Sequence, residues 1–269
     1  MKAKDKSTNK NATGQLHLTS SFTSAIDYAR ILHIERRKGT DIPYMAHLLG
    51  VASLVMGEVG HAGFPITEDM VIAALLHDAA EDQGGELRLQ DIECNFGSNV
   101  ARMVEGLSDS LTADPSHKEP WPERKKAYIR RLHKESADVR LISAADKLYN
   151  ARTILEDYRE IGPQVWDRFK RGREDQIWYF NEILKVYKLH GTGRLVEELQ
   201  RVVAELRHLS ADERIDIPSV EISGTVMPTE RRSNERDNPC HQHSPAVRRA
   251  DTPGEEAEGV PITADAPPG

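Results

Sequence analysis

The sequence predicts an all-α fold: a helical bundle over residues 19–210, with a disordered leader at 1–18 and a disordered Pro-rich tail at 211–269. Three observations carry this. Apolar residues recur at helical spacing through the middle of the chain. No Asn-Gly or Asp-Gly turn separates alternating runs, so no β-hairpin is indicated. Every Trp, Phe and Tyr falls between 19 and 210, while eight of the fourteen prolines fall after 210. A tail of that composition buries too little apolar surface to offset its chain entropy.

The elements follow in order. Ser24, with Asp27 three residues on, predicts a capping box and a helix over about 24–37. Leu48, Val51, Ala52, Leu54 and Val55 predict a second helix at about 43–59. Thr67 is a suitable N-cap, followed by Glu68 and Asp69 where negative charge suits the helix dipole. The helix it starts is expected to run unbroken to Asp82. Shorter helices are expected at about 88–95 and 98–108, divided by Gly97. The segment DSLTADPSHKEPWP, 109–122, reads as a loop. Helices resume at about 123–134, 137–157, 163–169, 173–190 and 193–208.

Composition excludes several classes. No apolar run approaches the roughly 18–20 residues of a membrane span. The basic start, MKAKDKSTNKNATGQ, has no apolar segment of a secretory signal, so a cytoplasmic setting is expected. A net charge of −7 argues against general nucleic-acid binding, but not against a local basic pocket for a phosphorylated small molecule. The two cysteines, Cys94 and Cys240, imply no disulfide framework. The PCHQH cluster at 239–243 reads as incidental rather than as a zinc site. Oligomerisation is left open.

The chemistry concentrates in VIAALLHDAAED, 71–82. Six apolar residues lead into His77, Asp78, Glu81 and Asp82. Carboxylates are unfavourable at a helix C-terminus, and a bound divalent cation reverses that penalty. Imidazole with carboxylate suits Mn²⁺, Fe²⁺ or Zn²⁺ better than Ca²⁺. Two ligands do not fill a coordination sphere, so others must come from elsewhere. His47 in PYMAHLLGVA and Asp146 in LISAADKLYNAR are lone polar residues among apolar neighbours. Alone, His47 reads as a core histidine bonded to a carbonyl, and Asp146 as a partner of Lys147 or Arg152. Occurring together with His77 and Asp78, they point to a shared metal site. Asn150 is one turn beyond Asp146 and projects toward the same place.

This order resembles the HD-domain metal-dependent phosphohydrolases. The finer pattern is similar to the hydrolase domain of the RelA/SpoT enzymes and to the small alarmone hydrolases. It comprises Arg36-Arg37-Lys38, Pro43-Tyr44 with His47 and Val51-Ala52, AALLHDAAED, Phe96-Gly97 and ADKLYNART at 145–153, covering about 25–155. The resemblance implies an HD-type domain at 19–210 with His47, His77, Asp78 and Asp146 as metal ligands, usually for Mn²⁺. It implies Glu81 and Asp82 as the catalytic acidic pair. Arg37, Lys38, Arg124, Lys125 and Asn150 resemble substrate-binding residues. The implied activity is hydrolysis of the 3′ pyrophosphate of (p)ppGpp, a stringent-response nucleotide. Two alternatives stay open: an HD phosphohydrolase for another nucleotide or phosphorylated metabolite, and a non-catalytic nucleotide-binding HD protein.

Overall fold

In the computed structural model, the protein is described over residues 15–112, 114–191 and 193–211. Most of the expected leader and tail lie outside these residues, as do Cys240 and the 239–243 cluster. Among the described residues the structure is helical, with an isolated antiparallel bridge between Arg36 and Pro43.

Helix α1 spans Ser20–Leu32, earlier than the 24–37 expected. Its cap is Thr19, whose side chain accepts from the Ser21 N–H, rather than Ser24. Thr19 also donates its own N–H and hydroxyl to Glu68, which ties the helix start to the next layer. Beyond His33 the chain leaves the helix and doubles back, with Arg37 N–H bonded to the Ile42 carbonyl at 2.8 Å. The basic run 36–38 therefore sits on a loop.

Helix α2, Met45–Met56, agrees with expectation. Helix α3, Glu68–Leu76, starts at the Thr67 cap as predicted, and its last seven residues are all buried. An element apolar on every side belongs in a core. It does not continue unbroken to Asp82. The helical ladder stops at His77 and restarts as a single turn, α4, over Ala79–Asp82. At the break the Ala74 carbonyl receives the His77 ring Nδ1–H at 2.8 Å. Helices α5 (Gly85–Phe96) and α6 (Ser98–Leu107) meet at Gly97, whose φ of 90° is a conformation that favours glycine.

The 109–122 segment is mostly irregular, with a 3₁₀ turn at Pro115–His117, and α7 begins early, at Trp121, and ends at Leu132. Pro122 near the helix start fits the rule that proline is tolerated in a first turn. Helix α8, Ala137–Ile161, runs through the middle of the bundle and packs against α2, α3, α6 and the final helix. The expected helix at 163–169 is a 3₁₀ stretch, Gly162–Arg168. Helices α9 (Gly172–His190) and α10 (Gly193–Ala211) follow, and α10 buries Leu195, Val196, Leu199, Val202, Val203 and Leu206 on one face.

Two features bring the chemistry together. Gly50, one turn beyond His47, faces the Tyr149 ring so closely that a Cβ there would lie 2.0 Å from a ring carbon. A side chain at 50 would push α2 off α8, and His47 away from Asp146. Deeper in the core, the buried Ser143 hydroxyl bonds to the hydroxyls of Tyr128 and Tyr187, each at 2.7 Å. That triad joins α7, α8 and α9 below the site.

Candidate metal centre and active site

His47 on α2, His77 and Asp78 at the break after α3, and Asp146 on α8 converge. His47 Nε2 and His77 Nε2 are 3.2 Å apart. His47 Nε2 is 3.4 Å from both Asp78 Oδ2 and Asp146 Oδ1. His77 Nε2 is 3.0 Å from Asp78 Oδ2 and 3.7 Å from Asp146 Oδ1. Donors bound to one ion at about 2.1 Å lie about 3–3.5 Å from one another, the same range. His47, His77 and Asp78 form the metal-compatible cluster among the described residues, and Asp146 closes it from the opposite helix.

The hydrogen bonds orient these donors. His77 gives Nδ1–H to the Ala74 carbonyl, so in the neutral ring Nε2 presents a bare lone pair to the cluster. Tyr44 donates its hydroxyl to Asp78 Oδ2 at 2.6 Å. Asn150 donates to Asp146 Oδ1 at 2.6 Å, and the Lys147 ammonium contacts the other Asp146 oxygen. The ring of His47 is buried with Nδ1 unpartnered. Two facing imidazole nitrogens flanked by two carboxylates form a donor set that a divalent cation fits.

The charges agree. Burial holds His47 below its ordinary value. Against burial, Asp78 and Asp146 hold His77 well above its own. Against burial again, His77 holds Asp78 low, and Lys147 followed by His77 holds Asp146 low. The pairing of Asp146 with Lys147 is thus present together with the shared cluster, while Arg152 instead meets Glu198 at 3.4 Å.

Glu81 and Asp82 project from the short turn α4 beside this cluster. Glu81 Oε2 accepts the Asp109 N–H at 3.0 Å, and Oε1 is 3.5 Å from Arg124. Burial and then the Asp109 charge push Glu81 up to about 7. Asp82 keeps more contact with solvent, and the surrounding protein and then the Asp78 charge push it up to about 6.

All five residues predicted to contact substrate line cavities here. His47, Asp78 and Asp146 line a polar cavity of about 210 Å³. Lys125, Lys147, Asn150 and Tyr179 also line a larger one of about 450 Å³. That cavity is walled by Arg37, Lys38, Arg124, Lys125, Lys147, Lys170 and Arg171, with no Asp or Glu in its lining. Trp121, Phe169, Tyr179 and Phe180 supply its aromatic surface. Arg37 is fixed by a 3.0 Å hydrogen bond to Asn150 Oδ1 and lies over the Tyr149 ring. Lys38 lies over Phe169.

Sequence reasoning missed Asp109, Lys170 and Arg171, gave no role to Tyr44, and read Lys147 only as a partner of Asp146. Tyr44 had a usable signal, being one turn before His47. Asp109, Lys170 and Arg171 lie in or beside irregular segments, where no periodicity tells which side faces the cavity.

A family model described as "HD domain" matches residues 25–177. The chain is 34% identical over 197 residues to the human guanosine-3′,5′-bis(diphosphate) 3′-pyrophosphohydrolase MESH1, covering 71% of this chain and 97% of that protein. It is 31% identical over 183 residues to the Drosophila melanogaster protein of the same name, covering 66% and 90%. A solved structure described as "A metazoan ortholog of SpoT hydrolyzes ppGpp and plays a role in starvation responses" superposes with a TM-score of 0.57 at 27% identity, covering 71% of this chain and 97% of that one.

Proposed function

This chain belongs to the HD-domain family, and from that premise we propose that it is a divalent-metal-dependent phosphohydrolase removing the 3′ pyrophosphate of guanosine 3′,5′-bis(diphosphate). The carrying observation is the join between a four-donor cluster and a cavity walled by seven cations and no carboxylate. That surface fits a substrate with several phosphates, and the relatives named above act on such a nucleotide. The catalytic unit proposed is 19–210. No helix among the described residues is long and apolar enough to cross a membrane.

His47, His77, Asp78 and Asp146 would hold the metal, which we take to be Mn²⁺. When bound, the ion lowers the pKa of water and polarises a phosphoryl oxygen. The protein supplies the rest. Lys125 and Lys147 line both cavities, Arg124 lines the larger one beside them, and the three offset the charge that builds on the phosphoryl oxygens. Arg37, braced by Asn150 and Tyr149, and Lys38 fix the nucleotide's orientation. Asp82 takes a proton from the attacking water. Glu81, protonated near neutral pH, gives one to the ribose 3′ oxygen as its bond to phosphorus breaks. The products are GDP and pyrophosphate.

Purified protein with Mn²⁺ should convert ppGpp to those two products, resolved by anion-exchange chromatography. Orthophosphate release from other nucleotides with ppGpp untouched would replace this substrate with another of the same class.

A further inference from the structure

Asp109 sits in an irregular segment that no sequence pattern marks, yet its side chain is only 2% exposed. Three groups meet it. Arg124 contacts one carboxylate oxygen, and the Lys125 ammonium is 2.7 Å from the other. The third is the Glu81 carboxyl, whose Oε2 accepts the Asp109 N–H at 3.0 Å. Two buried carboxyl groups held side by side repel one another when both are charged, so the pair favours a proton on one of them. The cations decide which. Asp109 is in direct contact with both, whereas Glu81 is 3.5 Å from Arg124.

We propose that Asp109 is a positioning residue: it takes up the charges of Arg124 and Lys125 and so leaves Glu81 a protonated acid facing the cavity. The role in turnover rests on the function proposed above; the protonation of Glu81 does not.

The remaining groups around Glu81 leave this balance in place. On its own segment, Asp78 and Asp82 add negative charge, which also favours the proton. From the loop, Lys118 donates to the Glu81 main-chain carbonyl at 2.8 Å. On α8, Lys147 is paired with Asp146. On α2, burial disfavours charge on His47 and Tyr44 donates to Asp78. Tyr128 of α7 and Tyr179 of α9 add phenol groups. Burial followed by the Asp109 charge pushes Glu81 up to about 7, in accord with the geometry.

The test begins with carboxyl titration of the full chain without added metal, followed by ¹³C NMR, with Glu81→Gln identifying the Glu81 signal. The wild-type midpoint should lie near 7. In Asp109→Asn the freed cations turn to Glu81, and its midpoint should fall by about one unit or more. With Mn²⁺ and ppGpp, the alkaline limb of kcat should move down equally, about a tenfold loss above the limb. Asp109→Glu should restore it in part. A merely structural Asp109 would lower kcat at every pH and leave the limb in place, which overturns the proposal. A wild-type midpoint in the ordinary carboxylate range overturns it with no variant needed. A midpoint near 7 without ppGpp hydrolysis would support the protonated Glu81 while rejecting the proposed substrate.

Discussion

The donor cluster and the cationic cavity share a wall but are built differently. In the cluster, His47, His77 and Asp146 are buried, and His77, Asp78 and Asp146 each have a second bond that fixes their orientation. The Ala74 carbonyl and Asn150 lie within a turn of the residues they support, and Tyr44 reaches Asp78 from the start of α2. In the cavity, Lys38, Lys170 and Arg171 are exposed and sit on connections between helices. Bond-breaking groups must be held to fractions of an ångström, which packed helices provide. Cations that gather a phosphorylated ligand act over several ångströms and tolerate looser supports. The comparison therefore predicts steep losses on one side of the wall and shallow ones on the other.

Asp78→Ala tests the steep side hardest. It removes one donor and leaves the Tyr44 hydroxyl without its acceptor. Metal content, measured by elemental analysis, and activity should fall together, with kcat lower by on the order of a thousandfold or more. Full activity would remove Asp78 from the ligand set. Glu81→Gln should separate the two losses: the metal stays, while turnover drops about 10²- to 10⁴-fold, the range for a lost general acid. Tyr44→Phe comes next. It deletes only the 2.6 Å bond to Asp78, so metal affinity should weaken about 10- to 100-fold, read by competition with a fluorescent chelator. Unchanged affinity would show that packing alone orients Asp78.

The same contrast explains what could be read in the sequence. His47, His77, Asp78 and Asp146 were visible because an ionisable residue inside an apolar helix needs a partner. Helical spacing then placed Asn150 beside Asp146, and the structure brings both to the cluster. The break at His77 was hidden because the apolar pattern of 70–76 runs smoothly into Ala79 and Ala80, and a ring-to-carbonyl bond leaves no mark in it. The start of the first helix was misread because Thr19 is selected by Glu68, far along the chain. Asp109, Lys170 and Arg171 were unreadable for a related reason: their facing is set by how the irregular segments fold over α7 and α9.

Lys170→Ala probes the shallow side. Lys170 is exposed on the cavity wall, away from the metal donors, so its charge should act on bound substrate and transition state alike. Uniform binding of that kind appears in KM and leaves kcat alone. An exposed ion pair contributes about 0.2–1 kcal/mol, which corresponds to a rise in KM of up to about fivefold. Because the interaction is open to solvent, the gap between variant and wild type should close as salt rises toward 1 M, where the screening length is about 3 Å. The measurement is steady-state kinetics on ppGpp at low and high ionic strength. A fall in kcat with KM unchanged would mean that Lys170 acts in the transition state, and the functional division between cluster and cavity would fail at that residue.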